Sequence, residues 1–234
     1  MTHSAPNVLE RFLRYVQFDT QSDETSAAAP STAKRLKLAE ALKDELHQLG
    51  IANAVIGQGG VVYAHIPASP SCEDLPAVGF IAHMDTSPDA SGLHVKPQII
   101  RFDGTDVLLN QTEGIRFPVE RFPEIKKYIG EDVIFTDGTT LLGADDKSGI
   151  AAIMDMAAKI TADPTIAHAK LCIAFTPDEE IGRGTANFDL ERFGADWAVT
   201  IDGGEVGTLE NENFNAGSAV VDFQGVGVHP GSSK

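Results

Sequence analysis

The sequence predicts an α/β protein in which helices flank a mostly parallel sheet, and three observations support this class. Short, continuous apolar runs recur along the chain, and such runs are typical of strands buried in a parallel sheet. Amphipathic segments of helical length alternate with these runs. Acidic residues and one histidine directly follow several of the runs, which places them at the edge of an open α/β sheet where ligands bind.

The first part of the chain is predicted to contain two helices and a pair of strands. The spacing of apolar residues predicts an amphipathic helix over 8–18. A polar loop follows, and Ser31 or Thr32 is expected to cap the second helix. Two apolar segments separated by a glycine-rich turn, 51–56 and 61–66, predict the strand pair.

The later elements alternate between strands and helices, except in the irregular region 86–132. Within that region, the segment 122–128 is predicted as a short helix. Elsewhere the predicted elements are strands over 77–82, 140–144, 171–175 and 197–201, a buried helix over 148–160, and a helical turn over 190–193.

Composition excludes several classes of partner. The 234-residue chain carries a formal net charge of −16, so it has no basic surface to neutralise nucleic-acid phosphates or an anionic membrane. No apolar run approaches the roughly 20 residues of a membrane span, and no N-terminal segment resembles a signal peptide. The 2 cysteines cannot form a disulfide framework. Together these features predict a cytoplasmic protein.

Four clusters of chemically active residues come directly after apolar runs: His83-Met84-Asp85, Asp145-Asp146, Glu179-Glu180 and Asp202. If the runs are neighbouring parallel strands, their carboxyl ends bring the clusters to one edge of one sheet. Carboxylates gathered that closely repel each other unless a cation neutralises them. The sequence therefore predicts a metal site.

Each cluster taken alone also has a structural interpretation. A lone histidine at a strand end is more often structural than a ligand, and Asp145 could simply cap a helix. Vicinal glutamates could be loop charges, and Asp202 could open a turn. The coincidence of all four favours the metal site. Side chains alternate between the two faces of a strand, so His83 and Asp85 lie on the same face. This arrangement suits an imidazole ligand that is oriented by a carboxylate.

The segments around these clusters resemble the cocatalytic zinc exopeptidase family, which includes aminoacylases and succinyl-diaminopimelate desuccinylases. The resemblance extends along essentially the whole chain. Four segments carry it: 82–89 (AHMDTSPD), 141–147 (LLGADDK), 176–182 (TPDEEIG) and 228–231 (VHPG). It implies a zinc-exopeptidase-like catalytic domain followed by a smaller α+β lid domain.

The resemblance also implies a role for each site residue. Two zinc ions are expected: His83 and Asp202 would bind the first, Asp145 would bridge both, and Glu180 would bind the second. Glu179 would be the general base for a zinc-activated water, and Asp85 would orient His83. The family has a non-proline cis peptide after its bridging aspartate, which would lie between Asp145 and Asp146.

The activity implied by the resemblance is metal-dependent release of the N-terminal residue from short peptides, with tripeptides as the expected substrates. Within the same class, a related dinuclear-zinc dipeptidase or N-acyl-amino-acid deacylase is an alternative. A different alternative is that the 234-residue chain by itself is a non-catalytic metal-binding or interaction domain.

The sequence changes in character from Asn211, which predicts a domain boundary near residue 211. With the resemblance, 1–211 would be an incomplete catalytic domain and 212–234 the first strand of a truncated lid domain. Ser218–Gln224 is the predicted lid strand, and His229 resembles a lid histidine that reaches a partner subunit, which implies a homodimer through the lid. Members of the family carry a histidine of the second zinc site in a later segment, and no histidine here matches it. The chain is therefore expected to be truncated and inactive by itself.

Overall fold

The computed structural model describes residues 6–212, 215–217, 219–227, 229 and 231. Contacts divide the chain into two units, one extending to Gly203 and one starting at Gly204. The first unit contains the elements that position the candidate site. In chain order these are α1 (Val8–Tyr15), α2 (Leu36–Gln48), β1 (Val55–Ile56), β2 (Val62–Ile66), β3 (Val78–His83), β4 (Gln98–Arg101), β5 (Val107–Asn110), β6 (Ile115–Phe117), β7 (Asp132–Phe135), α3 (Ala144–Ala162), β8 (Leu171–Thr176), α4 (Leu190–Phe193) and β9 (Trp197–Thr200).

The central sheet has five strands in the order β1-β2-β8-β3-β9. Strand β3 pairs in parallel with β8 on one side and with β9 on the other. Strands β2 and β1 continue the sheet: β2 pairs antiparallel with β8, and β1 pairs antiparallel with β2. The short connection between β1 and β2 is typical of a hairpin. The predicted α/β class is confirmed, and the strands that carry the candidate site residues are the parallel ones.

Helices cover both faces of the sheet. Leu171, Ile173 and Phe175 of β8 belong to the core cluster that includes the buried faces of α1, α2 and α3. Cys172 and Ala174 belong to a second cluster that contains Phe193 of α4. Because successive strand residues point to opposite faces, β8 is buried on both sides. This explains why its sequence is continuously apolar rather than alternating.

The irregular region forms two further two-stranded sheets, β4–β7 and β5–β6. Phe102, Val107, Val119 and Phe135 are their buried core. The predicted helix over 122–128 is a 3₁₀ helix, Pro123–Tyr128. This region has a hydrophobic cluster of its own, separate from the cores of the central sheet.

Two local predictions are wrong. The segment 140–144 is not a strand: the Leu141 N–H bonds to the Ser91 carbonyl, and Gly143 has a left-handed backbone (φ +76°), which leads directly into α3. The second helix is not capped by a Ser31 or Thr32 side chain. Both hydroxyls accept hydrogen bonds from Arg35 instead, because that buried guanidinium competes for them.

No strand is assigned among the described residues from Gly204 to Gly231. Ser218, where the predicted lid strand begins, lies outside the described residues, and 219–224 are described without strand pairing. The lid assignment and the domain boundary at 211 stay predictions. Among the described helices, none combines the length and apolar character that crossing a membrane requires.

A buried cluster of hydrogen-bonded polar side chains connects α1 to α2 and α3. The Tyr15 hydroxyl donates to Glu45 Oε2 at 2.6 Å, and Arg11 Nε donates to Glu45 Oε1 at 2.9 Å. Arg11 Nη1 donates to Asp155 Oδ1 at 2.9 Å. Burial, and then the charge and hydrogen bond of Glu45, raise the pKa of Tyr15 far above its usual value of 10.0.

This shift predicts how Tyr15→Phe alters alkaline stability. A raised folded-state pKa contributes stability that is complete below the unfolded pKa and is lost as the pH rises, because only the unfolded chain then releases the proton. For Tyr15 this term lowers the free energy of unfolding by about 1.4 kcal/mol per pH unit above pH 10. Tyr15→Phe should therefore be less stable than wild type at pH 7 but show a shallower decline above pH 10. Urea unfolding across this range measures both, and parallel declines would contradict the prediction.

Candidate metal centre

Three of the four predicted ligands lie together at the carboxyl edge of the parallel strands. His83 ends β3, Asp202 comes just after β9, and Asp145 lies at the start of α3. His83 Nε2 is 2.7 Å from Asp145 Oδ1 and 3.7 Å from Asp202 Oδ2. One ligand atom from each residue lies within 4.8 Å of the others. The parallel pairing of β3 and β9 brings two of these residues to the same edge.

The two adjacent glutamates lie at the same edge, in a 3₁₀ turn after β8. Glu179 Oε2 is 3.8 Å from His83 Nε2, and the Glu179 side chain is 53% exposed. Glu180 does not belong to the compact group of possible ligands among the described residues. Burial raises the pKa of Glu180, and repulsion from the Asp145 carboxylate raises it further, although Glu180 lies outside the compact group.

Asp85 connects the histidine to this turn. His83 Nδ1 lies 3.0 Å from the Asp85 carbonyl oxygen and 3.5 Å from the Asp85 carboxylate. A carbonyl can only accept, so Nδ1 donates and Nε2 faces Asp145. The buried Asp85 carboxylate also accepts the N–H groups of Glu179 and Glu180 at 3.0 and 3.1 Å, and the Ser22 hydroxyl at 2.5 Å. Asp85 therefore positions both the imidazole and the turn: its carbonyl oxygen accepts from the imidazole, and its carboxylate holds the turn.

Asp146 is a site residue that sequence reasoning did not single out. Its carboxylate accepts the N–H of His83 at 3.0 Å and that of Gly149 at 3.1 Å. The peptide bond between Asp145 and Asp146 is cis, as the resemblance implied. Burial, and then the charge of Asp202, raise the pKa of Asp146 to about 8. The adjacency of two aspartates was the available signal, but it does not show which one points inward.

Gly149 sets how closely α3 approaches the end of the sheet. A Cβ atom at this position would lie 1.9 Å from the carbonyl oxygen of Ile201, the residue before Asp202. No side chain fits there, because backbone atoms cannot rotate away. The glycine therefore lets the helix that carries Asp145 pack against the chain segment that carries Asp202.

The electrostatics of the site favour a cation. Burial, followed by neighbouring carboxylates, raises the pKa values of Glu179 and Asp202. Burial opposes protonation of His83, but Asp85, Asp146 and Asp202 outweigh it and raise its pKa to about 10. The carboxylates around His83 thus favour a positive charge in this cluster, which a bound metal ion would supply. One imidazole nitrogen with carboxylate oxygens is a donor set that fits Zn²⁺.

Comparison with known proteins identifies close relatives. The chain is 56% identical to peptidase T of Desulfitobacterium hafniense (strain Y51) over 229 residues, which cover 97% of the chain and 55% of that protein. It is 54% identical to peptidase T of Clostridium acetobutylicum over 228 residues, or 97% of the chain and 56% of that protein. The chain therefore spans about half the length of the curated relatives it matches. No protein-family model matches the sequence.

Solved structures share the fold. A tripeptidase from Staphylococcus aureus has a TM-score of 0.59 at 24% identity. The match covers 85% of the chain and 43% of that tripeptidase. Aminopeptidase PepT from Bacillus cereus has a TM-score of 0.58 at 23% identity. The match covers 84% of the chain and 43% of that aminopeptidase. At these identities the structures support the fold, whereas the curated relatives also match in sequence. The chain is therefore related to peptidase T over almost all of its residues.

Proposed function

We propose that the full-length protein is a metal-dependent aminopeptidase that releases the N-terminal residue from tripeptides. The approach of His83, Asp145 and Asp202 to within 4.8 Å is the observation that carries metal-dependent hydrolysis. The tripeptide preference is supported by the motif resemblance and by similarity to peptidase T proteins. Short peptides are the proposed partners, and the free state of both cysteines agrees with a cytoplasmic location.

Two zinc ions are proposed. His83 and Asp202 would hold the first, Asp145 would bridge both, and Glu180 would contribute to the second. When bound, zinc supplies the positive charge that polarises a carbonyl group and makes water acidic enough to attack it. A homodimer through a lid domain, with His229 reaching the partner's site, is proposed from the resemblance alone.

The remaining proposed roles are those of the general base and of the residues that position His83. Glu179 is the proposed general base, because its carboxylate lies beside the metal ligands and its side chain is about half exposed to solvent. Its raised pKa brings it closer to neutral pH, where a base can both accept a proton and return it to the departing amine. Asp85 orients the imidazole of His83, and Asp146 fixes its main chain.

A substrate panel tests this function against its alternatives. We expect the full-length protein with zinc to hydrolyse trialanine faster than dialanine or N-acetylalanine, and to lose activity with a chelator and regain it with added zinc. A preference for dialanine would favour a dipeptidase, and a preference for N-acetylalanine would favour a deacylase. The same assay on the 234-residue chain tests whether this part alone is a non-catalytic metal-binding domain. Hydrolysis that is indifferent to chelation would overturn the proposal.

A further inference from the structure

The turn that carries Glu179 and Glu180 begins at a residue with an unusual backbone. Asp178 has a left-handed conformation (φ +63°), which residues other than glycine adopt infrequently. It lies between the end of β8 and the 3₁₀ turn, and it is only 3% exposed. Such a conformation persists where the surroundings hold it, and it is found preferentially at functional sites.

The surroundings that hold Asp178 centre on Arg35. This arginine is fully buried, and its Nη1 donates to Asp178 Oδ1. Its Nη2 donates to Ser31 Oγ at 2.8 Å, and the N–H of Ser31 donates to Asp178 Oδ2 at 2.8 Å. Arg35, Ser31 and Asp178 therefore form a closed ring of hydrogen bonds in which both carboxylate oxygens have a partner.

The same turn is held from its other side by Asp85, which accepts the N–H groups of Glu179 and Glu180. The backbone of the turn is thus fixed at its start by a cation through Asp178 and at its next two residues by a carboxylate. Stability alone is a weak explanation for the buried Arg35–Asp178 pair, because well-packed apolar residues commonly replace such pairs without loss. A requirement for one turn geometry explains it better.

We propose that Arg35 is a positioning residue of the active site: through its ion pair with Asp178 it sets the turn that directs Glu179 and Glu180 towards the metal centre. This inference rests on the proposed function. Arg35 touches neither the candidate ligands nor Glu179 in the contacts described. It acts through the backbone that connects Asp178 to the glutamates.

Arg35→Lys is the test variant, with Arg11→Lys as its matched control. Lysine keeps the positive charge but lacks the planar guanidinium group, whose two terminal nitrogens donate to Asp178 and Ser31 at the same time. Arg11 is equally buried and is also ion-paired, but its partners Glu45 and Asp155 lie on α2 and α3 and not at the glutamate turn. The control therefore measures the general cost of shortening a buried arginine.

We expect the two variants to lose comparable thermal stability, whereas only Arg35→Lys should lose site function. Its affinity for the second zinc, to which Glu180 would contribute, should fall by about 10- to 100-fold when measured by competition with a chromophoric chelator, the usual range for a residue that supports metal ligands. In the full-length protein, its kcat for trialanine should fall by at least about 10-fold with a smaller change in KM, because the base is displaced and substrate contacts are not.

Zinc affinity and kcat of Arg35→Lys within about twofold of those of Arg11→Lys would overturn the inference. If Arg35→Lys does not fold, Asp178→Asn takes its place, since it keeps the size of the side chain and removes the ion pair. The same losses are expected for it, and unchanged values would again overturn the inference. Wild-type protein without zinc-dependent hydrolysis would instead overturn the proposed function, and the comparison of zinc affinities would still decide the role of Arg35.

Discussion

Replacing Glu179 by glutamine is expected to lower kcat for tripeptide hydrolysis by about 10²- to 10⁴-fold, the usual contribution of general acid–base catalysis. The amide preserves the size of the side chain but cannot take up a proton. Zinc binding should remain close to that of wild type, because Glu179 lies outside the compact ligand group of His83, Asp145 and Asp202. Steady-state kinetics at saturating zinc, combined with zinc quantification in the purified protein, measures both effects.

Glu191→Gln is the matched control, since it makes the same chemical change at an exposed position on α4. Its kcat should equal that of wild type. Near wild-type turnover by Glu179→Gln at full zinc occupancy would show that another group accepts the proton. Loss of zinc together with loss of turnover would instead make Glu179 a ligand and leave the base unassigned.

Replacing His83 by alanine is expected to lower zinc affinity of the 234-residue chain by at least about 100-fold. Removing residues that merely support a ligand already costs up to that factor, and His83 is the one nitrogen donor in the compact group of described residues. Carboxylates without an imidazole are a poor donor set for zinc. Isothermal titration of the chain with zinc measures this change.

His65→Ala provides the control for the loss of an imidazole. His65 is half-buried in β2, next to β8 in the sheet, and its Nε2 bonds to the Phe193 carbonyl at 3.0 Å. Its removal should leave zinc affinity unchanged. If His83→Ala binds zinc as tightly as His65→Ala does, the metal lies elsewhere in the chain.

The sequence predicted the candidate site better where regular strands carry it. His83 and Asp202 follow continuous apolar runs that are indeed parallel neighbours, so the rule about strand ends sufficed. Asp145 was placed by the same rule for a wrong reason, because 140–144 is a loop and the residue begins α3. An apolar run of this length does not reveal whether its backbone finds a partner strand.

Arg35 and Asp146, which support the site, were beyond sequence reasoning because their contacts are distant in the chain. Arg35 meets Asp178 across 143 positions, and the main chain of His83 meets Asp146 across 63. Neither contact leaves a periodic pattern or a local spacing. The side chains of Arg35, Asp178 and Asp146 are ionisable and buried, against the usual tendency, and only tertiary packing shows what compensates that burial.

The bonds made by Asp85 have a thermodynamic consequence. Because Asp85 contacts both the imidazole and the N–H groups of the glutamate turn, we expect occupancy of the metal centre and ordering of the turn to be coupled. Such coupling is reciprocal, so a ligand that orders the turn and thereby raises the affinity for metal is itself bound more tightly, by the same factor, when metal is present. Cooperativity between substrate and cofactor is therefore expected within a single site, without any change of quaternary state.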